Sequence, residues 1–169
     1  MTDLVERLVP DELWVLFRRV VPPTEVIRPQ GGGRRRAGDR ACLAAIIFVA
    51  TSGCTWRQLP PVFGPAWPTV YRRFAQWSRD RVWARLHRVI LDELGARGAL
   101  DKKGIRHRIA RKGIESSTRP GRHRWVAERT VSWLAGCRRL HRRYERNAEH
   151  FLTFVGIAAT LIGYRRLTK

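Results

Sequence analysis

The sequence predicts a mainly α fold on three observations. Apolar residues recur at the three-and-four spacing of a helix through most of the chain. Strand-like alternation is confined to one short stretch, residues 105–110. Proline pairs and glycine clusters punctuate the chain at intervals that suit helices joined by loops.

In order, residues 11–21 place Leu13, Leu16, Phe17 and Val20 on one stripe, and Pro22-Pro23 stop that helix. The stretch from Arg28 to Arg36 is a flexible basic loop around three glycines. It lacks the Gly-Lys-Ser/Thr ending of a P-loop, so Arg34, Arg35 and Arg36 are expected to touch a DNA backbone from a solvated loop. Asp39 is the expected N-cap of a helix that runs to Gly53, with Leu43, Ile46, Ile47 and Ala50 as its core stripe. A short turn at Thr55–Leu59 closes on Pro60-Pro61, and Pro68 suits the first turn of the next helix. There Val70, Phe74 and Trp77 face the core, while Thr69, Arg72, Arg73 and Gln76 share the other face. Hydroxyl, guanidinium and amide groups are the side chains that reach phosphates and base edges, and Arg57 in the preceding turn joins them as a candidate DNA contact. Two helices, a tight turn and a polar-faced helix make a helix-turn-helix-like arrangement. The same spacing also fits an ordinary amphipathic helix with a wet side.

Residues 80–97 form a further helix with Val82, Leu86, Val89, Ile90 and Leu94 apolar. Gly95 to Gly98 loosen the chain and Asp101–Gly104 reads as a junction, which divides it into regions 1–100 and 101–169. Ile105–Ala110 is one strand without a partner, as if cut from a sheet. Residues 121–140 read as a helix with Val126, Thr130, Trp133, Cys137 and Leu140 inward. Asn147 caps the last helix, Glu149 sits in its first turn, and Phe151–Leu167 is apolar nearly all round, hence buried. Trp56, Trp67, Trp77 and Trp133 are expected in the core.

The charge is lopsided: 34 basic against 14 acidic residues, net +20. Region 1–100 is net +7 and the shorter region 101–169 is net +13. Such a chain calls for a polyanion, nucleic acid first and an anionic membrane surface second, although an arginine-rich codon bias contributes. Three cysteines without C-x-x-C spacing argue against a disulfide framework or a zinc site and fit a reducing cytoplasm. The opening residues lack the basic start of a secretory signal, and the run from Phe151 to Tyr164 is too short to span a bilayer. The expectation is a cytoplasmic chain with no membrane partner.

Two stretches resemble a known family. Gly53-Cys54-Thr55-Trp56-Arg57-Gln58-Leu59-Pro60, then Phe63-Gly64-Pro65 and Thr69 through Trp77, resemble the N-terminal DNA-binding region of bacterial insertion-sequence transposases of the DDE type, the group of insertion sequences four and five. Gly104–Ile109 through Arg124–Thr130 to Tyr164–Leu167 resemble the end of the same transposases' catalytic domain. The resemblance implies a ribonuclease-H-like domain, of which this chain keeps a remnant of one short strand and two helices. It also implies two aspartates and a glutamate holding two Mg²⁺ ions for attack on DNA phosphodiesters. Glu128 matches the glutamate, as catalytic residue and metal ligand, and Arg124 matches the arginine one turn before it. On the residues alone, the simpler reading of Glu128 is an ion-pair partner of Arg124 or Arg129, pairs at this helical spacing being common. Gly121 and Ala135 depart from the family signature, where a tyrosine and a basic residue stand. Neither Asp92 nor Asp101 lies in the family's strand contexts, so the resemblance implies an internally deleted transposase.

Three functions follow as alternatives. The chain is an active transposase, or a non-catalytic DNA-binding regulator of transposition, or a partly folded gene remnant without function. The first two take double-stranded DNA at the element's terminal inverted repeats as partner, with self-association or association with a full-length transposase.

Overall fold

The structure is a computed structural model that describes residues 4–23, 36–96, 128, 131–142 and 144–168. Arg34, Arg35, Arg124, Asp101, the expected strand at 105–110 and the expected boundary at residue 100 lie outside the described residues. Those described are mainly helical, with no strand among them.

Helix α1 (Leu4–Leu8) leads to α2 (Asp11–Arg18). Asp11 and Glu12 stand in the first turn of α2 and Arg18 in its last, the arrangement its dipole favours. Leu13, Leu16, Phe17 and Val20 are all buried, as the spacing predicts. Helix α3 (Asp39–Ser52) is the central element. Its N-cap is Gly38, so Asp39 is the first helical residue and not the cap; its carboxylate is spent on side chains instead. The buried surface of α3 is wider than a four-residue stripe, because Cys42 to Ile47, Val49 and Ala50 are all covered by neighbours on several sides. Gly53 ends it at φ 73°, with its N–H bonded to the Val49 carbonyl. A Cβ there would also lie 2.9 Å from Arg138 Cβ, so glycine is required twice over.

Residues 53–66 cross to the next helix through two 3-10 turns, Trp56–Gln58 and Pro61–Phe63. Gln58 Oε1 accepts from the Thr55 N–H (2.9 Å) and hydroxyl (3.0 Å), which fixes the first. This link is longer than the tight turn expected between the helices of a helix-turn-helix pair. Helix α4 (Trp67–Arg79) begins with Pro68 in its first turn and buries Val70, Phe74 and Trp77. Arg81, at φ 51°, makes the sharp joint into α5 (Val82–Ala96), which buries Val82, Trp83, Leu86, Ile90 and Leu94.

The expected helix 121–140 is interrupted. A helical turn at residues 131–134 stops at Ala135-Gly136, and a 3-10 turn follows at Arg138–His141. Gly136 weakens the helix there. Its N–H bonds back three residues to Trp133, as that of Cys137 does to Leu134, which tightens and closes the turn. Trp133 is consequently 39% exposed and not core; its ring lies 4.1 Å under the Arg166 guanidinium.

Helix α6 (Ala148–Leu167) is capped by Asn147, whose side chain accepts from the Glu149 N–H at 2.9 Å. It packs along α5, and also meets α3 and α4. Gly163 permits the close approach, since a Cβ there would meet Ile90 Cγ2 at 3.0 Å. Phe154 stacks on Phe74 with centroids 4.8 Å apart, so the tail and α4 share one core. The expectation of burial all round fails at Leu152, which is 66% exposed.

Candidate nucleic-acid interface

Helix α4 sets the geometry. Its buried residues Val70, Arg73, Phe74, Trp77 and Ser78 fix which side faces the core. The opposite side therefore presents Pro68, Arg72 and Arg79, which are exposed, with Thr69, Ala75 and Gln76 half-buried on its margins. Arg72 donates only to its own helix, from Nε to the Pro68 carbonyl at 3.3 Å. Arg79, seven residues on, extends the same stripe; the sequence reading missed it, although that spacing was the available signal.

Arg73 does not share this face. Its side chain is buried, with Nε 3.4 Å from Asp39 Oδ1, Nη1 donating to Gln76 Oε1 at 3.1 Å, and the guanidinium 5.9 Å from the Trp77 ring centroid. The stripe of four is thus corrected to Arg72 with Thr69 and Gln76 at its edge. The cause is Asp39, which draws Arg73 across to α3. Arg36 meets the same carboxylate at 3.1 Å and is half-buried by it. Burial pushes the nearby Cys42 thiol up, against the opposing pull of the Arg73 guanidinium. Burial likewise takes Cys137 up to about 11, so neither is a ready thiolate.

Arg57 is exposed at the start of α4, where it lines an open cleft of about 360 Å³ with Trp67, Tyr71 and Tyr144. Trp67 is 38% exposed in that wall and is not a core residue. The floor is fixed from the tail. Arg139 is buried, with Nε and Nη2 on Glu145 Oε1 at 2.9 and 2.6 Å, and Nη1 donates to the Cys54 carbonyl. Its guanidinium stands 4.5 Å from the Tyr144 ring centroid.

Residues 9–87, which hold α4, Arg57 and Arg36, match a family described as "Putative transposase of IS4/5 family". An "Insertion element IS402 uncharacterized 16.2 kDa protein" from Burkholderia cepacia is 35% identical over 111 residues, 61% of this chain and 76% of that relative. The chain belongs to this insertion-sequence transposase family. The "Putative transposase for insertion sequence element IS402" of the same organism is 38% identical over 73 residues, 43% of this chain and 35% of its own length. No solved structure matches the transposase-family chain.

Glu128 is exposed on a helical residue. Among the described residues no group of three His, Cys, Asp or Glu side chains could hold a metal ion. Four of the described carboxylates are engaged with arginines: Asp11 with Arg40, Glu93 with Arg19, Asp39 with Arg36 and Arg73, Glu145 with Arg139. Among the described residues no helix is long and apolar enough to cross a membrane.

Proposed function

We propose that this transposase-family chain binds duplex DNA at the terminal inverted repeats of its insertion element and does not cut DNA on its own. The observation that carries the reading is the exposed stripe of α4, where Arg72 and Arg79 stand without an acidic partner among the described residues and Arg57 flanks the helix start. Guanidinium groups so placed reach backbone phosphates, and Thr69 and Gln76 at the margin supply hydrogen-bonding groups for base edges. The net charge of +20 adds a long-range pull on the same ligand. By the family resemblance Glu128 is the one acid of three that this sequence matches, and two hard cations need more shared oxygen ligands than one carboxylate supplies.

The chain covers 76% of a 16.2 kDa relative and 35% of the transposase relative. A DNA-binding chain without catalysis would compete with a full-length transposase for the ends, or pair with it there.

Fluorescence anisotropy with an inverted-repeat duplex and a scrambled duplex tests the reading. Preference for the repeat, lost in Arg72→Ala/Arg79→Ala with an unchanged thermal melt, is the expected result. Equal affinity of variant and parent would sink the assignment of α4. Mg²⁺-dependent nicking abolished by Glu128→Gln would sink the non-catalytic half.

A further inference from the structure

We infer that the tail carries a second phosphate site, a cleft between the C-terminal end of α3 and the 3-10 turn Arg138–His141, where Arg138 and Arg142 grip a backbone phosphodiester of the bound DNA. This rests on the DNA-binding reading above and extends it from α4 to a part of the chain outside the residues that match the family.

The cleft measures about 390 Å³ and is lined by Ser52, Gly53, Ala135, Arg138, His141 and Arg142. No carboxylate appears in that lining. Arg19, Arg36, Arg40, Arg73 and Arg139 are each matched to an acidic side chain, whereas this cleft, like the exposed stripe of α4, holds guanidinium groups that are not. Arg138 and Arg142 are exposed, and no such match exists for them among the described residues. Arg142 makes only a long contact, 3.4 Å, to the Tyr144 hydroxyl. Two guanidinium groups in one open cleft offer the fork of donors that phosphate oxygens accept.

Neutral groups complete the lining. Ser52 Oγ accepts from the Cys54 N–H at 3.3 Å, which leaves its own proton available to an acceptor. His141 Nε2 lies 2.7 Å from the Ala135 carbonyl, which only accepts, so that nitrogen carries the hydrogen and the ring is held in place. The turn is seated firmly. Arg138 packs against Gly53, and the next residue, Arg139, is locked to Glu145 and the Cys54 carbonyl. The backbone that carries the two cations is therefore fixed, and only their side chains lose freedom on binding.

The plainer account is that these arginines answer the negative end of α3 at Gly53. A helix end is worth about half a charge, so two full cations leave the cleft positive. The position also suits DNA. Ser52, Gly53 and Arg138 line this cleft while Thr55, Trp56, Arg57 and Arg139 line the one beside α4, so the two open off adjoining stretches of the same two segments.

Anisotropy titrations at several NaCl concentrations test the inference on the full chain, comparing parent, Arg138→Ala/Arg142→Ala and Arg138→Lys/Arg142→Lys. Arg138→Ala keeps the Cβ that packs on Gly53. Losing the gripped phosphodiester should make the slope of log K against log salt shallower by about one. The lysine pair should restore it, because counterion release follows charge. In the parent, inorganic phosphate should shift the His141 ring signals in NMR, a readout that needs no variant. Parent-like slope in the alanine pair, or no phosphate effect on His141, overturns the inference while leaving α4 binding intact. A parent that binds no duplex at all overturns the functional reading itself, and this inference with it.

Discussion

Arg72 and Arg73 are adjacent in sequence, and one helical step of about 100° sends one to solvent and the other into the protein. Arg73 spends its charge on Asp39 and its hydrogen bond on Gln76, so its loss takes one of two arginines from a half-buried carboxylate and unties α4 from α3. Arg73→Ala should lower unfolding stability by about 1–3 kcal/mol, through the loss of these charge-assisted contacts. Arg72→Ala should leave the melt unchanged and weaken DNA binding, with a salt slope about one unit shallower. Urea melts and salt titrations of the two variants separate these roles; a reversed pattern would mean the face of α4 is wrongly drawn. Helical spacing made Val70, Phe74 and Trp77 legible as core, and all three are buried. It could not separate Arg73 from its neighbours, because a guanidinium goes inward only when a carboxylate waits there. That carboxylate lies 34 positions earlier, in a residue that reads more simply as a helix cap.

Among the elements, the 3-10 turn Arg138–His141 does the most with the fewest residues. It joins the tail to the loop after α3 through Arg139, whose pair with Glu145 is buried on both sides. Removing one partner of such a pair leaves a lone buried charge, so Arg139→Ala should cost about 3–5 kcal/mol. Replacing both, Arg139→Met with Glu145→Leu, should recover most of that loss, since an apolar pair of similar volume is often no worse. Calorimetry of the single and double variants checks this; a double variant as unstable as the single would show that the bond to the Cys54 carbonyl is the dominant part. The sequence concealed this turn. The residues around 130–140 have helical spacing, and only Gly136 hinted at a stop, so Trp133 was assigned to a core it does not enter. The caps were easier, because Asn147 and Gly53 act through local backbone geometry that short-range sequence specifies.

At the scale of the whole molecule, residues from α2 to α6 contribute to a single apolar core, with Phe17 against Trp77 and Phe74 against Phe154. The partition of the sequence into a head and a tail was drawn from glycines and a charge step, neither of which reports on which helix lies beside which. A core of this kind must hold together a chain of net charge +20. Like charges repel over roughly a Debye length, about 10 Å at 0.1 M salt, and this self-repulsion weakens the compact state. Salt therefore acts on this protein with two signs. Raising NaCl from about 0.05 to 0.5 M should screen the repulsion and raise the melting temperature, by about 2–4 °C for each kcal/mol gained in a chain of this size. The same change should weaken duplex binding by orders of magnitude as the advantage of counterion release disappears. Scanning calorimetry and anisotropy on one set of buffers measure both. A melting temperature that falls with salt would mean that the described ion pairs, from Arg19–Glu93 to Arg139–Glu145, contribute more to stability than the surplus arginines remove.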